Sequence, residues 1–376
     1  MDQAIVLRSL FMADSKIRRR KFIINTVNAA FALAMLGITG LGLILVTYLM
    51  RPISNCRKNI CGYYAEGKNS LDMIYIGSSA AYYGWEPLRG FHERGFTSYN
   101  FGTDALQAQS IKYEVREIMK TQKPELLLIE LRPFIYGAHV SEVDGLINID
   151  RVAPFRNVSD NLKYSLNRYN YIHEAAPSGA PEWTYQFDLS MYHTLLSELV
   201  SKENWTYLLN QKHLYSKGFF YHNEIRYVEL NMPEDMEARE TIDDKVNGYL
   251  LDLLTMLKSE CPDTKVCFVL MPYGAYDKEY ANANYIMDEV KDYGYDVFNG
   301  MLYADEMELL GSEDFRDSDH MNLGGANKFS YYFADYLAEN YNLPDHRNDS
   351  DYDTWYEDYN TWASEVDNVE LLWCEY

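Results

Sequence analysis

The sequence predicts an α/β protein, a parallel sheet covered by helices on both faces, carried on one N-terminal transmembrane helix. Three observations predict it. An uncharged apolar run of 21 residues stands near the N-terminus. Beyond it, short unbroken apolar runs end in Gly, Pro or a charge, and stretches apolar at helical spacing fall between them. Unbroken apolar runs suit strands buried on both faces, and alternation with helices suits parallel pairing in a three-layer α/β/α arrangement.

The first element is the apolar run from Ala29 to Leu49. At 1.5 Å per residue it is about 30 Å long, the thickness of a bilayer core. Lys16, Arg18, Arg19, Arg20 and Lys21 precede it, against only Arg51, Arg57 and Lys58 just after it. The positive-inside rule puts residues 1–21 in the cytoplasm, residues 22–50 in the membrane and the bulk of the chain outside. A cleaved signal peptide is the rival reading. Its apolar run would be shorter and end at small residues, whereas this one ends Tyr48-Leu49-Met50-Arg51-Pro52. Residues 51–70 are polar, contain Gly62 and Gly67, and read as a stalk. Cys56 and Cys61 lie in it, either as free thiols or as a small disulfide loop.

The sheet begins with the run Asp72–Gly77, followed by Ser98–Gly102, Leu126–Leu131, Lys265–Pro272 and a weaker fifth run, Asp296–Asn299. Helices are expected over Ala105–Lys120, Asp243–Ser259, Asn284–Tyr293 and Gly325–Asn340. Between the third and fourth strands, residues 136–240 are rich in Tyr, Asn and Trp and read as a large insertion. The domain as a whole is expected over residues 71–343, with residues 344–376 as an acidic aromatic tail.

Composition excludes some functions. The net charge is −22 and the pI about 4.7, which argues against nucleic acid, since phosphate binding needs basic patches. The 34 Tyr and 6 Trp suit either half-buried packing or contact with sugars. No Walker loop, dinucleotide fingerprint or metal-ligand cluster is present, so neither cofactor nor metal is expected.

In a parallel sheet, ligands bind at the carboxyl ends of the strands. Three segments stand there or nearby: Gly77-Ser78-Ser79, Asn100-Phe101-Gly102, and Asp317-Ser318-Asp319-His320 just before the last helix. A serine nucleophile needs a base, and the base needs an orienting carboxylate. His320 has that context, with Asp317 or Asp319 as its partner. The other histidines, His92, His139, His173, His193, His213, His222 and His346, read as surface or structural. The oxyanion of a tetrahedral intermediate needs N–H donors, and the Ser79 and Gly102 backbones are candidates. Tyr83 and Trp85 either wall the site or pack in the core.

These blocks, in this order and at these strand ends, resemble those of the SGNH (GDSL-like) hydrolase superfamily, over roughly Leu71 to Leu343 without the insertion. The resemblance implies a flavodoxin-like three-layer fold. It makes Ser79 the nucleophile, His320 the base and Asp317 its partner, with Ser78 where many members have Asp. It implies an oxyanion hole from the N–H of Ser79, the N–H of Gly102 and an Asn of a third block. That Asn has no counterpart: Leu126–Leu131 runs into Arg132-Pro133-Phe134. Arg132 is then either a cationic donor or substrate contact, or a structural ion-pair partner; Asn100 is a further candidate contact. Loss of one oxyanion donor costs on the order of 3 kcal/mol.

The anchored topology is also similar to that of the D-alanyl transfer proteins of Gram-positive teichoic acid synthesis. The expectation is an extracytoplasmic serine esterase or acyltransferase acting on acyl esters of envelope glycans or polymers, beside the lipid bilayer and a membrane acyl-transfer partner. The alternative is a catalytically degenerate member that binds or scaffolds envelope polysaccharide.

Overall fold

The computed structural model describes residues 3–136, 149–177, 181–209, 214–230, 233 and 235–374. Parts of the expected insertion, and His139 and His213 with it, lie outside the described residues. The chain divides into two compact units, Met1–Pro52 with Asp188–Leu209, and Ile53–Phe187 with Asn210–Tyr376.

In the first unit, helix α1 runs over Gln3–Met50. An 18-residue window within its segment Arg18–Met50 reaches a mean hydropathy of 2.3, making it the one described helix long and apolar enough to cross a membrane. Its apolar side chains, among them Phe31, Leu36 and Leu41, are exposed along most of its length. At its end the pattern changes, and Thr47, Leu49, Met50 and Arg51 are buried. There α1 packs on the short helical turns of residues 189–209. Arg51 donates to the fully buried Asp188.

The second unit holds the expected sheet. Its strands are β1 (Met73–Gly77), β2 (Ser98–Gly102), β3 (Leu126–Glu130), β4 (Lys265–Leu270) and β5 (Asp296–Asn299). All pair in parallel in the order β2-β1-β3-β4-β5, the flavodoxin-like order with its switch point between β1 and β3. One face buries Ile74, Ile76, Leu127, Ile129 and Phe268. Helices α4 (Ala108–Ile118), α5 (Asp244–Glu260) and α6 (Asp277–Asp292) add to that cluster. The other face buries Met73, Tyr75, Leu128 and Val269 against Phe329, Phe333 and Leu337 of α7 (Leu323–Asn340). Strands buried on both faces explain the unbroken apolar runs.

Helix boundaries differ where capping decides them. Helix α4 starts three residues later than expected, because Thr103–Gln107 forms a loop with Ala105 at φ +49°. Helix α6 starts earlier, at a capping box in which the Glu279 side chain returns to the Tyr276 N–H. Asp243 caps α5 and Asn322 caps α7. The polar segment expected as a stalk contains a helix, Asn55–Tyr63, that buries Cys56, Ile60 and Tyr63. Cys56 and Cys61 are not joined in a disulfide. The acidic C-terminal segment forms helix α8 (Asp353–Val366), which buries Trp355 and Trp362 against the domain.

Candidate active site

Strand β1 ends on Gly77, and the chain turns at once into helix α2 (Ser79–Gly84). Ser78 caps that helix, its Oγ accepting from the Ala80 N–H. Gly77 has no room for a side chain: a Cβ would lie 2.5 Å from Ala81 Cβ and 2.7 Å from Glu130 Oε2. A Cβ on Gly102 would lie 2.9 Å from the Gly77 carbonyl oxygen. These two glycines let the ends of β1, β2 and β3 close together. Ser79 is the first residue of α2, where the backbone N–H has no intrahelical partner.

Far along the chain, two short antiparallel strands, β6 (Phe315–Asp317) and β7 (His320–Met321), form a tight hairpin before α7. The turn sets Asp317 under His320. Asp317 Oδ1 accepts from the backbone N–H groups of Asp319 and His320, each at 2.9 Å, and pairs with His320 Nδ1 at 2.7 Å. On the other side of the ring, Nε2 lies 2.7 Å from Ser79 Oγ. With Asp317 ionised, Nδ1 carries the proton and Nε2 is left to accept from the serine hydroxyl. Burial works to raise the Asp317 pKa. The hydrogen bond and charge of His320, the Asp319 N–H and Arg316 outweigh it and hold the group at about 2.

The structure thus brings together Ser79, His320 and Asp317, and of the two aspartates it is Asp317 whose carboxylate meets the His320 ring. The Asp319 carboxylate turns the other way and accepts from Arg132 and from Tyr136 Oη. Arg132 is 4% exposed. It also donates to the Asp319 carbonyl at 2.7 Å and lies over the rings of Tyr273 and Tyr136. Its guanidinium therefore braces the hairpin while lining the cavity beside Ser79. Asn100 lies two residues short of the end of β2, fully buried, and donates to the Trp85 carbonyl at 2.8 Å, a contact that fastens the core. Trp85 is core too, while Tyr83 walls the site with its ring edge-on to His320 at 5.7 Å.

Some residues around the site were not singled out by the sequence reading. Glu130, fully buried at the end of β3, accepts from both the N–H and the Oγ of Ser78. Its signal was there to find, as a lone carboxylate closing the run Leu-Leu-Leu-Ile. His222, read as surface or structural, packs against Tyr83 with ring centroids 3.9 Å apart and planes tilted by 36°, its ring 6.3 Å from that of His320. Burial, Arg316 and His320 push its pKa down to about 4. Arg316 pairs with Glu224 at 2.8 Å and approaches Asp317 Oδ2 at 3.8 Å. Nothing in the sequence links His222 to the hairpin.

Ser79 and His320 open onto a cavity of about 260 Å³ bordered also by Leu106, Arg132, Tyr136 and Pro154. Among the described residues, no group of His, Cys, Asp or Glu is arranged to hold a metal ion.

No protein-family profile matches this sequence, and no curated protein matches it. A solved structure that it resembles belongs to a protein from Parabacteroides merdae ATCC 43184, provisionally named a GDSL-like lipase. The two are 11% identical, with a TM-score of 0.32, over 73% of this chain and 98% of that one. A likeness this distant says nothing about substrate.

Proposed function

We propose that this protein is a serine esterase or acyltransferase whose domain lies outside the cytoplasm, acting on acyl esters of hydroxyl-rich envelope polymers. The observation that supports the chemistry is the unbroken chain from Ser79 Oγ through His320 to Asp317, 2.7 Å at each step, at the mouth of a cavity. Ser79 Oγ attacks the acyl carbonyl carbon while His320 Nε2 takes its proton. The charge that develops on the carbonyl oxygen is held by the N–H groups of Ser79 and Gly102. His320 then returns the proton to the leaving alcohol. Water or a sugar hydroxyl resolves the acyl-enzyme by the same steps in reverse.

The placement outside the cytoplasm rests on the basic cluster Lys16–Lys21 ahead of the apolar run. A retained anchor is favoured over a cleaved leader by the burial of Thr47–Arg51 against residues 188–209. The membrane, an acylated polymer and a membrane acyl-transfer partner are the partners this reading implies.

The test is fluorophosphonate labelling of the full chain in lipid nanodiscs, beside Ser79→Ala and His320→Ala. Labelling lost in both variants supports an activated serine. A folded wild type that resists labelling favours the second reading, a polysaccharide-binding protein without turnover. One observation supports that alternative: Arg132, at the place of the third oxyanion donor, is already engaged by Asp319 and Tyr136.

A further inference from the structure

The cavity beside Ser79 has two unlike flanks. Tyr83, His222 and Arg316 make a polar flank on one side of His320. On the other side the cavity is lined mostly by apolar surface, from Ala105, Leu106, Pro133 and Pro154, with Gln107, Arg132, Tyr136 and Asp319 as its polar members. An apolar lining beside a nucleophile suits an alkyl chain better than a sugar, whose hydroxyls need partners.

The loop that carries Ala105 is held in a strained shape. Ala105 has φ +49°, a left-handed conformation that costs an L-residue energy and that glycine adopts freely. Its neighbours over-determine that shape. The Thr103 N–H donates to the Gly77 carbonyl at 3.2 Å, and the Asp104 N–H points at Cys56 Sγ at 3.2 Å. Asn157 Nδ2 donates to the Asp104 carbonyl at 3.2 Å, and Tyr82 Oη donates to the Asp104 carboxylate. Strain that is pinned in this way gathers at ligand clamps. Here it sets the Ala105 methyl at the rim of the cavity and swings Leu106, 4% exposed, into its wall.

We infer that this cavity is the acyl-binding pocket, that it takes short and medium acyl chains and not membrane-length fatty acyl chains, and that Ala105 and Leu106 set the limit. The inference rests on the esterase reading of the site. Its size fixes the class. A dry apolar cavity of about 150 Å³ takes a six-carbon ring, so about 260 Å³ holds on the order of ten carbon-sized atoms, fewer once the reacting carbonyl is seated. Each methylene that fits and leaves water is worth roughly fourfold in binding. The gain therefore climbs with chain length and stops at about eight carbons.

The experiment measures kcat/KM of the full chain in nanodiscs on 4-methylumbelliferyl esters of two, four, eight and twelve carbons, with Ser79→Ala as the blank. Wild type is expected to rise from two carbons toward eight and to fall at least tenfold at twelve. Leu106→Phe, which fills the pocket, is expected to lower the eight-to-two-carbon ratio at least tenfold. Ala105→Gly, which relieves the strain and keeps the fold, is expected to raise that ratio severalfold. Ser79-dependent hydrolysis without a twelve-carbon cutoff, or a ratio unmoved in Leu106→Phe, overturns the pocket assignment and leaves the esterase reading standing. No Ser79-dependent turnover of any ester overturns the esterase reading, and the pocket assignment with it.

Discussion

Two aspartates stand two residues apart in one hairpin, and replacing each by asparagine separates the chemistry from the scaffold. Asp317→Asn keeps a side-chain oxygen for the backbone N–H groups of Asp319 and His320, so the turn should survive. What it removes is the charge opposite His320 Nδ1. A carboxylate held at about 2 against an ordinary 3.8, in spite of its burial, marks a favourable interaction with His320, aided by the Asp319 N–H and Arg316 and partly screened because Asp317 is 37% exposed. The imidazolium that forms in the transition state draws on that interaction, and loss of tautomer control adds to the deficit. The expected fall in kcat is roughly 10³- to 10⁴-fold, with thermal unfolding close to wild type. Asp319→Asn should do the reverse. It uncouples the buried Arg132 from its carboxylate, although the Asp319 carbonyl and Tyr136 remain. Because Asp319 is 43% exposed, the cost should be about 1–3 kcal/mol, less than for a fully buried pair, with kcat reduced far less than in Asp317→Asn. The assay is single-turnover acylation by a short-chain ester, beside melting followed by circular dichroism. Activity of Asp317→Asn within threefold of wild type refutes the assigned geometry, as does a larger catalytic loss in Asp319→Asn.

Three further perturbations test the surroundings. Gly77→Ala forces a methyl against Ala81 and Glu130. It should destabilise the domain by about 1–3 kcal/mol or more and abolish fluorophosphonate labelling, and normal labelling would mean that the strand end is looser than described. His222→Gln tests a pH effect of definite sign. The folded pKa of about 4 lies below the ordinary 6.5, so the unfolded chain binds the proton first. The stability contributed is present above pH 6.5 and lost as pH falls through 4. The variant should therefore show a shallower fall in Tm between those two values, and an unchanged slope would count against a buried neutral His222. Trp362→Ala should cost about 3–5 kcal/mol, since Trp362 is 2% exposed, meets Phe219 edge-on and carries Arg89 over its face. A change under 1 kcal/mol in chemical denaturation would make α8 a loosely attached segment.

Much of the sheet was legible because its strands are buried on both faces. Met73-Ile74-Tyr75-Ile76 and Leu126-Leu127-Leu128-Ile129 leave no polar alternation to misread, and both became central strands. Ser79, Asp317 and His320 were legible as strand-end and pre-helix residues, and the structure sets them in hydrogen-bond contact. What was not legible depends on contacts distant in sequence. The β6–β7 hairpin has strands of three and two residues, too short for any periodicity. His222 joins the site only because residues 214–230 pass beside that hairpin, where the Arg226 N–H reaches the Phe315 carbonyl and the Leu323 N–H reaches the His222 carbonyl. The helix Asn55–Tyr63 was hidden by its polar residues, since Arg57 and Asn59 are buried along with Cys56 and Ile60. The acidic run of α8 masked two tryptophans that anchor it, and Lys217 pairs with Asp358 there at 3.0 Å.

The missing third oxyanion donor takes on a different meaning beside these contacts. Strand β3 ends in Glu130 and, two residues on, Arg132. One side chain reaches Ser78, the residue before Ser79, and the other reaches Asp319, the residue before His320. Ser79 and His320 are 241 positions apart in the chain, and the end of this one strand braces both. That place is the switch point between β1 and β3, where the open sheet leaves a crevice. A donor aimed at the oxyanion would have to give up one of those braces. Arg132 can move toward the substrate only by releasing Asp319, which loosens the hairpin that holds His320. Rigidity of the Ser79–His320 contact and a third donor are therefore competing uses of the same strand end, and in this structure the side chains serve the first.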